Sequence, residues 1–175
     1  MVEGPTEALA LPVLLGAVGI DLLGLGVAVV PAGGIGAIAR WLRLYWAYDI
    51  PALAIFDRDQ SDDADWSKRA ELLATLREER HEYERLVQQG QPVSIGNAYV
   101  VMVKNFEVAM RALFPQVYEA HEQAVRSELG SASKPLVARE ACRRLASEPS
   151  YAGWGSLRAS AATLSSLVGR ASNVT

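Results

Sequence analysis

The chain has 175 residues, half of them hydrophobic and 21% charged, with a net charge of −3. That length and balance fit one globular domain with a real core, and they exclude the strongly basic character that announces nucleic acid or an anionic membrane by charge alone. The single cysteine, Cys142, excludes a disulfide framework and suits a reducing cytoplasm, while His81 and His121 are too isolated for a zinc pattern, so a metal site here needs oxygen donors, the preference of Mg²⁺, Mn²⁺ or Ca²⁺.

Met1-Val2 reads as the stub of a strand ending at Glu3. Gly4 permits a tight turn, and Thr6 is placed to cap a helix running to about Gly16, with Pro12 as an internal blemish. Residues 8–38 carry only Asp21 as a charged side chain. A membrane span needs about 20 uninterrupted apolar residues, and the prolines and glycines here break the stretch, so it reads as buried α/β core. Gly26 to Val30 is short, apolar and β-branched, the pattern of a buried parallel strand, and ends in the loop Pro31-Ala32-Gly33-Gly34. A helix is predicted from Gly36 to Tyr48, then a second buried strand, Ala52 to Phe56, ending at Asp57.

Ser61-Asp62-Asp63-Ala64-Asp65 is rich in helix-capping residues, and Trp66, Leu73, Leu76, Tyr83 and Val87 recur at helical spacing, predicting one long helix over 66–89. Gly90 and Pro92 stop it. A strand follows over Tyr99–Val103, then Asn105 as the cap of a helix holding Glu107. Helical pattern continues from Gln116 to Leu129, from Lys134-Pro135, and from Ser156 to Val168. Strand–helix alternation predicts an α/β domain with a mainly parallel central sheet, in which ligands collect at the carboxyl ends of the strands. Glu3, Gly33, Asp57 and Lys104-Asn105 all fall at such ends.

Taken singly, Glu7 reads as a helix-start charge, Asp57-Arg58-Asp59 as a solvated turn and Asp62-Asp63-Asp65 as a capping loop, while Gly33-Gly34-Ile35-Gly36 resembles a phosphate-cradling turn but reads more simply as an ordinary glycine turn. Together, carboxylates from Glu3, Glu7, Asp57 and Asp59 at one sheet edge would repel one another strongly without a cation, which points to a divalent metal.

Val2-Glu3-Gly4-Pro5-Thr6-Glu7, followed about fifty residues on by a strand ending in Asp57-x-Asp59, resembles a Toprim domain. The closer resemblance is to the nuclease domain of the OLD (overcoming lysogenization defect) family, whose first motif often reads V-E-G-x-[ST]-E. Asn105-Phe106-Glu107 is similar to the family's third acidic motif, with Asn105 where a serine is common, and Lys134 to its later lysine. The resemblance covers roughly residues 1–145. It implies a Rossmann-like Toprim fold with a core over 1–130 and a C-terminal helical extension over 131–175, in a single domain. It also implies a Mg²⁺- or Mn²⁺-dependent DNA endonuclease, a hydrolase of phosphodiester bonds using two metals, with Ca²⁺ as a non-catalytic substitute. Metal ligands would be Glu3, Glu7, Asp57, Asp59 and Glu107, with Asn105 acting through water; Glu3 would also serve as base and Lys134 would stabilise charge. Basic residues for DNA would include Arg40, Arg43, Lys104, Arg111, Arg139, Arg143 and Arg144. Family members resemble fusions to an N-terminal ABC-type ATPase, and no G-x-x-x-x-G-K-[ST] loop occurs here, so the expectation is a cytoplasmic catalytic piece of a longer protein. Alternatives are another Toprim enzyme of topoisomerase or primase type, a phosphotransferase using Asp57 as nucleophile, and a non-catalytic metal-binding interaction module.

Overall fold

A computed structural model describes the backbone of residues 1–58, 63–148 and 150–172, and their side chains except 63–65 and 164–172. The centre is a small sheet. Strand β1 (Ala54–Asp57) runs parallel to β3 (Tyr99–Met102), with Ala54 opposite Tyr99 and Asp57 opposite Met102. β2 (Val93–Ile95) lies antiparallel on the far side of β3, giving the order β1-β3-β2. β3 reads Tyr-Val-Val-Met and is buried at every position, as a central strand covered on both faces must be.

Val2 extends this sheet beyond β1. It makes parallel bridges to Ile55 on one side and Pro31 on the other, and no part of it is exposed. Val2 N–H donates to the Val30 carbonyl at 2.9 Å, and its own carbonyl accepts from Ala32 N–H at 2.8 Å. The strand expected over 26–30 is thus reduced to a bridge. The bridge falls at Pro31, just past that run, and pairs it with Val2 of the segment that turns into a helix at Pro5.

Eight helices cover the sheet among the described residues: α1 (Pro5–Ala17), α2 (Ile35–Ala47), α3 (Asp63–Thr75), α4 (Arg80–Val87), α5 (Phe106–Leu113), α6 (Val117–Leu129), α7 (Lys134–Ala146) and α8 (Gly153–Ser172). Alternation along the strands sorts them into two layers. Ala54, Phe56, Tyr99 and Val101 point to a core built with Ile38 and Leu42 of α2, Leu72 and Leu73 of α3 and Tyr83 of α4. Ile55 and Met102 point the other way, to Ala10 and Leu14 of α1, Phe106 and Met110 of α5, Tyr118 of α6, Cys142 and Leu145 of α7 and Trp154 of α8. The result is the expected α/β architecture with additional C-terminal helices.

The helix expected over 66–89 is two helices. Arg77 takes the left-handed φ of +55°; its N–H donates to the Ala74 carbonyl at 3.2 Å and the Glu78 N–H to Leu73 at 2.9 Å, which is a Schellman stop with arginine in the place usually held by glycine. α2 ends the same way at Asp49 (φ +56°), and α1 at Gly19. β2 went unread because it has three residues and Pro92 beside it, yet Pro92 still contributes its carbonyl to Val103 N–H at 2.9 Å.

Gly153 marks the tightest helix contact. A Cβ there would stand 2.2 Å from the Leu113 carbonyl oxygen and 2.7 Å from the Phe114 ring, both fixed parts of the α5 end. Phe114 in turn meets Trp154 edge-on at 5.0 Å between centroids. Gly153→Ala is therefore expected to cost about 1–3 kcal/mol by overpacking, read as a lowered midpoint in urea with unchanged slope.

Candidate functional site

Glu3 is positioned by backbone on both sides. Val2 is locked into the sheet before it. The Glu3 carbonyl accepts from Gly33 N–H at 3.2 Å and Gly34 N–H at 2.9 Å. Both glycines sit at positive φ, +86° and +111°, which an L side chain would strain, so the Gly-Gly pair is what lets this loop close onto Glu3. The Glu3 carboxylate then reaches across to β1, where Oε2 accepts from the Asp57 backbone N–H at 3.2 Å. Two of the sequence-predicted residues are thus brought together at the carboxyl ends of adjacent parallel segments.

Glu7 lies one turn into α1, almost fully buried, and Oε2 accepts from Gly4 N–H at 3.0 Å, the reach-back half of a capping box. Asp57 and Asp59 flank Arg58, whose guanidinium donates to the Val87 carbonyl at 2.9 Å, so the residue between the two aspartates ties β1 to the end of α4. Asp59 and Asp62 lie outside the described residues, as do the side chains of Asp63 and Asp65.

The third acidic group is built at the end of β3. Lys104 adopts φ +59°, and Asn105 N–H donates to Val103 at 2.7 Å, bending the chain so that Asn105 Oδ1 caps α5 by accepting from Val108 N–H at 3.0 Å. This sets Glu107 in the first turn of α5, buried, with Lys134 Nζ of α7 at 3.0 Å from Oε1. The contact is one of charge, its angles falling outside those of a hydrogen bond. Glu107 and Lys134, distant in sequence, therefore meet as a pair. Burial, with the Glu107 charge added, pushes the nearby Cys142 thiol well up, so alkylation of Cys142 by iodoacetamide is expected to be negligible in the folded protein at pH 8 and rapid in denaturant, checked by mass spectrometry.

A cleft of about 510 Å³ opens beside Glu3 and Asp57 and is lined also by Gly34, Arg40, Lys68 and Arg69. Four of the basic residues expected to face DNA also pair with carboxylates: Arg43 with Glu71 at 2.8 Å, Arg111 with Glu122 at 2.6 Å, Arg143 with Glu140 at 3.2 Å and Arg144 with Glu128 at 2.5 Å. Sequence reasoning missed Lys68 and Arg69. The signal was there for the second: Arg69 precedes Leu72, Leu73 and Leu76 at i+3, i+4 and i+7, an arginine standing in the apolar stripe of its helix.

Among the described residues no three of His, Cys, Asp and Glu close on a common point. The donors present are hard carboxylate oxygens, Glu3 and Asp57 together and Glu7 one turn away in sequence. That set fits Mg²⁺ or Mn²⁺, which take one or two carboxylates with water and substrate oxygens completing the shell, better than a closed protein cage. No described helix is long and apolar enough to cross a membrane.

Residues 1–59 match the family model described as overcoming lysogenization defect protein-like, TOPRIM domain. That stretch holds Glu3, Glu7, Asp57 and Asp59. No curated protein matches the chain significantly. Among solved structures, the C-terminal region of the Burkholderia pseudomallei OLD protein superposes with a TM-score of 0.60 at 19% identity, over 91% of this chain and 96% of that one. The C-terminal region of the Xanthomonas campestris pv. campestris OLD protein does so at 0.55 and 18%, over 93% and 92%. The fold is that of a Toprim domain. More narrowly, the chain has the fold of OLD-protein C-terminal regions, and its first 59 residues are similar to an OLD-like Toprim domain.

Proposed function

We propose that this chain is the catalytic region of a cytoplasmic, divalent-metal-dependent DNA endonuclease, acting together with an N-terminal ABC-type ATPase region of a longer protein. The observation that carries the reading is the Glu3 carboxylate seated 3.2 Å from the Asp57 backbone nitrogen, at strand ends and on an open cleft. The OLD-like Toprim match over the same residues supports it.

Glu3, Glu7, Asp57 and Asp59 would hold the metal, with Glu107 and Asn105 serving a second ion. Two such ions would supply polarisation of the phosphoryl oxygen and a bound water acidic enough to ionise near neutral pH. Glu3 accepts the proton from the attacking water. Its backbone carbonyl is held by the Gly33 and Gly34 N–H groups, which fixes the point from which the side chain reaches toward Asp57. Lys134 sets an ammonium against the charge that develops on the phosphate, and its contact with buried Glu107 holds it in position.

Calorimetric titration with Mn²⁺ tests the site itself. The wild type is expected to bind, Glu3→Gln to bind at least tenfold more weakly, in line with the 10–100-fold common for disturbed metal sites, and Asp57→Ala/Asp59→Ala to show no heat. Equal binding by the double variant removes these residues from the site. Ca²⁺ is expected to bind without supporting cleavage.

A further inference from the structure

We propose that the Gly33-Gly34 turn, the first turn of α2, Arg40, Lys68 and Arg69 form a phosphate subsite that holds a DNA backbone phosphate other than the one being cut. The inference rests on the nuclease reading for its ligand, and on separate observations for its place.

α2 is a 13-residue helix that begins bare. No side chain caps it, no acidic residue lies in its first turn, and its N-cap is Gly34. α1 and α5 differ, with Glu7 and Asn105 occupied at their starts. The leading N–H groups of a helix lack intrahelical acceptors and carry about half a positive charge. Lys68 lies against this end: a Cβ on Gly36 would meet its side-chain Cδ at 3.4 Å. Arg40 is one turn further along α2, exposed, and lines the same cleft.

Arg69 is the independent observation. It is 6% exposed, a buried guanidinium on the cleft wall. Its Nε meets no acceptor, and its Nη2 reaches the Asp57 carbonyl only at 3.5 Å. A buried guanidinium so poorly satisfied is costly, and an anion entering the cleft would supply the missing partner. The planar fork matches two phosphate oxygens at once. A phosphate would avoid the Glu3 and Asp57 carboxylates on the same cleft, so the cleft carries a place for cations and a place for an anion. A strand of DNA presents phosphates at regular spacing and satisfies both. Beside the acidic pair, Arg40, Lys68 and Arg69 line the cleft that a strand would enter.

The test measures binding apart from cutting. A fluorescein-labelled 20-base-pair duplex is titrated with protein in EDTA at several salt concentrations and followed by anisotropy. Arg69→Gln and the exposed pair Arg40→Ala/Lys68→Ala are each expected to weaken binding about tenfold and to lower the salt slope by about one for every phosphate the variant no longer neutralises. Arg85→Ala, on an exposed face of α4, keeps the wild-type affinity and slope. Thermal melting of each variant confirms folding, and if Arg69→Gln is unstable the Arg40/Lys68 variant decides. Wild-type affinity and slope in both folded variants, or no binding of duplex by the wild type, overturns the subsite. A failure of the nuclease reading is distinct: it shows as absence of nicking with any metal, whatever the binding result.

Discussion

Asp57→Asn is expected to lower metal-dependent nicking of supercoiled DNA by about 10³-fold, the upper range for loss of one preorganised electrostatic group, while leaving the melting temperature within a few degrees of wild type. Asparagine has the shape of aspartate and keeps the β1 backbone as it is. The backbone of residue 57 is held on both sides: its N–H donates to Glu3 Oε2 and its carbonyl lies 3.5 Å from Arg69 Nη2. What the substitution removes is one negative charge and a hard anionic donor at the point where Glu3 is already aimed. A neutral amide oxygen is a far weaker partner for a small divalent cation. If Asp57 were instead part of a solvated turn, the same variant would be silent in both measurements.

Phe56→Ala is expected to destabilise the domain by about 3–5 kcal/mol, a large share of the roughly 5–15 kcal/mol that holds a domain of this size. Phe56 has no exposed surface and stacks between Tyr83 at 6.4 Å and Tyr99 at 5.8 Å, joining β1 to α4 and β3. Removing the ring leaves a cavity inside the α2–α4 layer directly beneath Asp57. Urea denaturation of the variant measures the loss. Because residue 56 fixes the direction in which residue 57 leaves the sheet, activity per folded molecule falls as well, which a merely peripheral core position would not cause.

The parts of the fold legible in the sequence are those governed by local chemistry. Glu3 and Asp57 stand out because apolar runs end at them. α1 and α2 begin within about one residue of the turn glycines that announce them, and Asn105 caps α5 as its position implies. What could not be read depends on partners. The apolar run 26–30 has strand composition, but the pairing with Val2 is a single bridge, and it falls at Pro31 beyond the run. The 66–89 helix breaks at Arg77, where no glycine or proline gives warning; a non-glycine residue in the left-handed region is held there by its two Schellman bonds. β2 needs β3 beside it to exist at all.

The candidate site divides in the same way. The acidic residues were visible as a pattern, and Glu107 and Lys134 were reachable only through resemblance, since nothing local links positions 27 residues apart that the fold brings to 3.0 Å. On the basic side of the cleft Arg40 was legible in the sequence, and Lys68 and Arg69 were not. Counting arginines cannot tell Arg43, held by Glu71, from Arg69, whose guanidinium lines the cleft.

The most direct test of the central claim is plasmid nicking by the purified chain. Supercoiled DNA incubated with protein in Mg²⁺ or Mn²⁺ is expected to convert to open-circular and linear forms, to remain intact with EDTA, and to remain intact with Asp57→Ala/Asp59→Ala. Nicking that persists in the double variant, or that survives EDTA, contradicts the assignment of this metal-bound carboxylate site as the seat of cleavage.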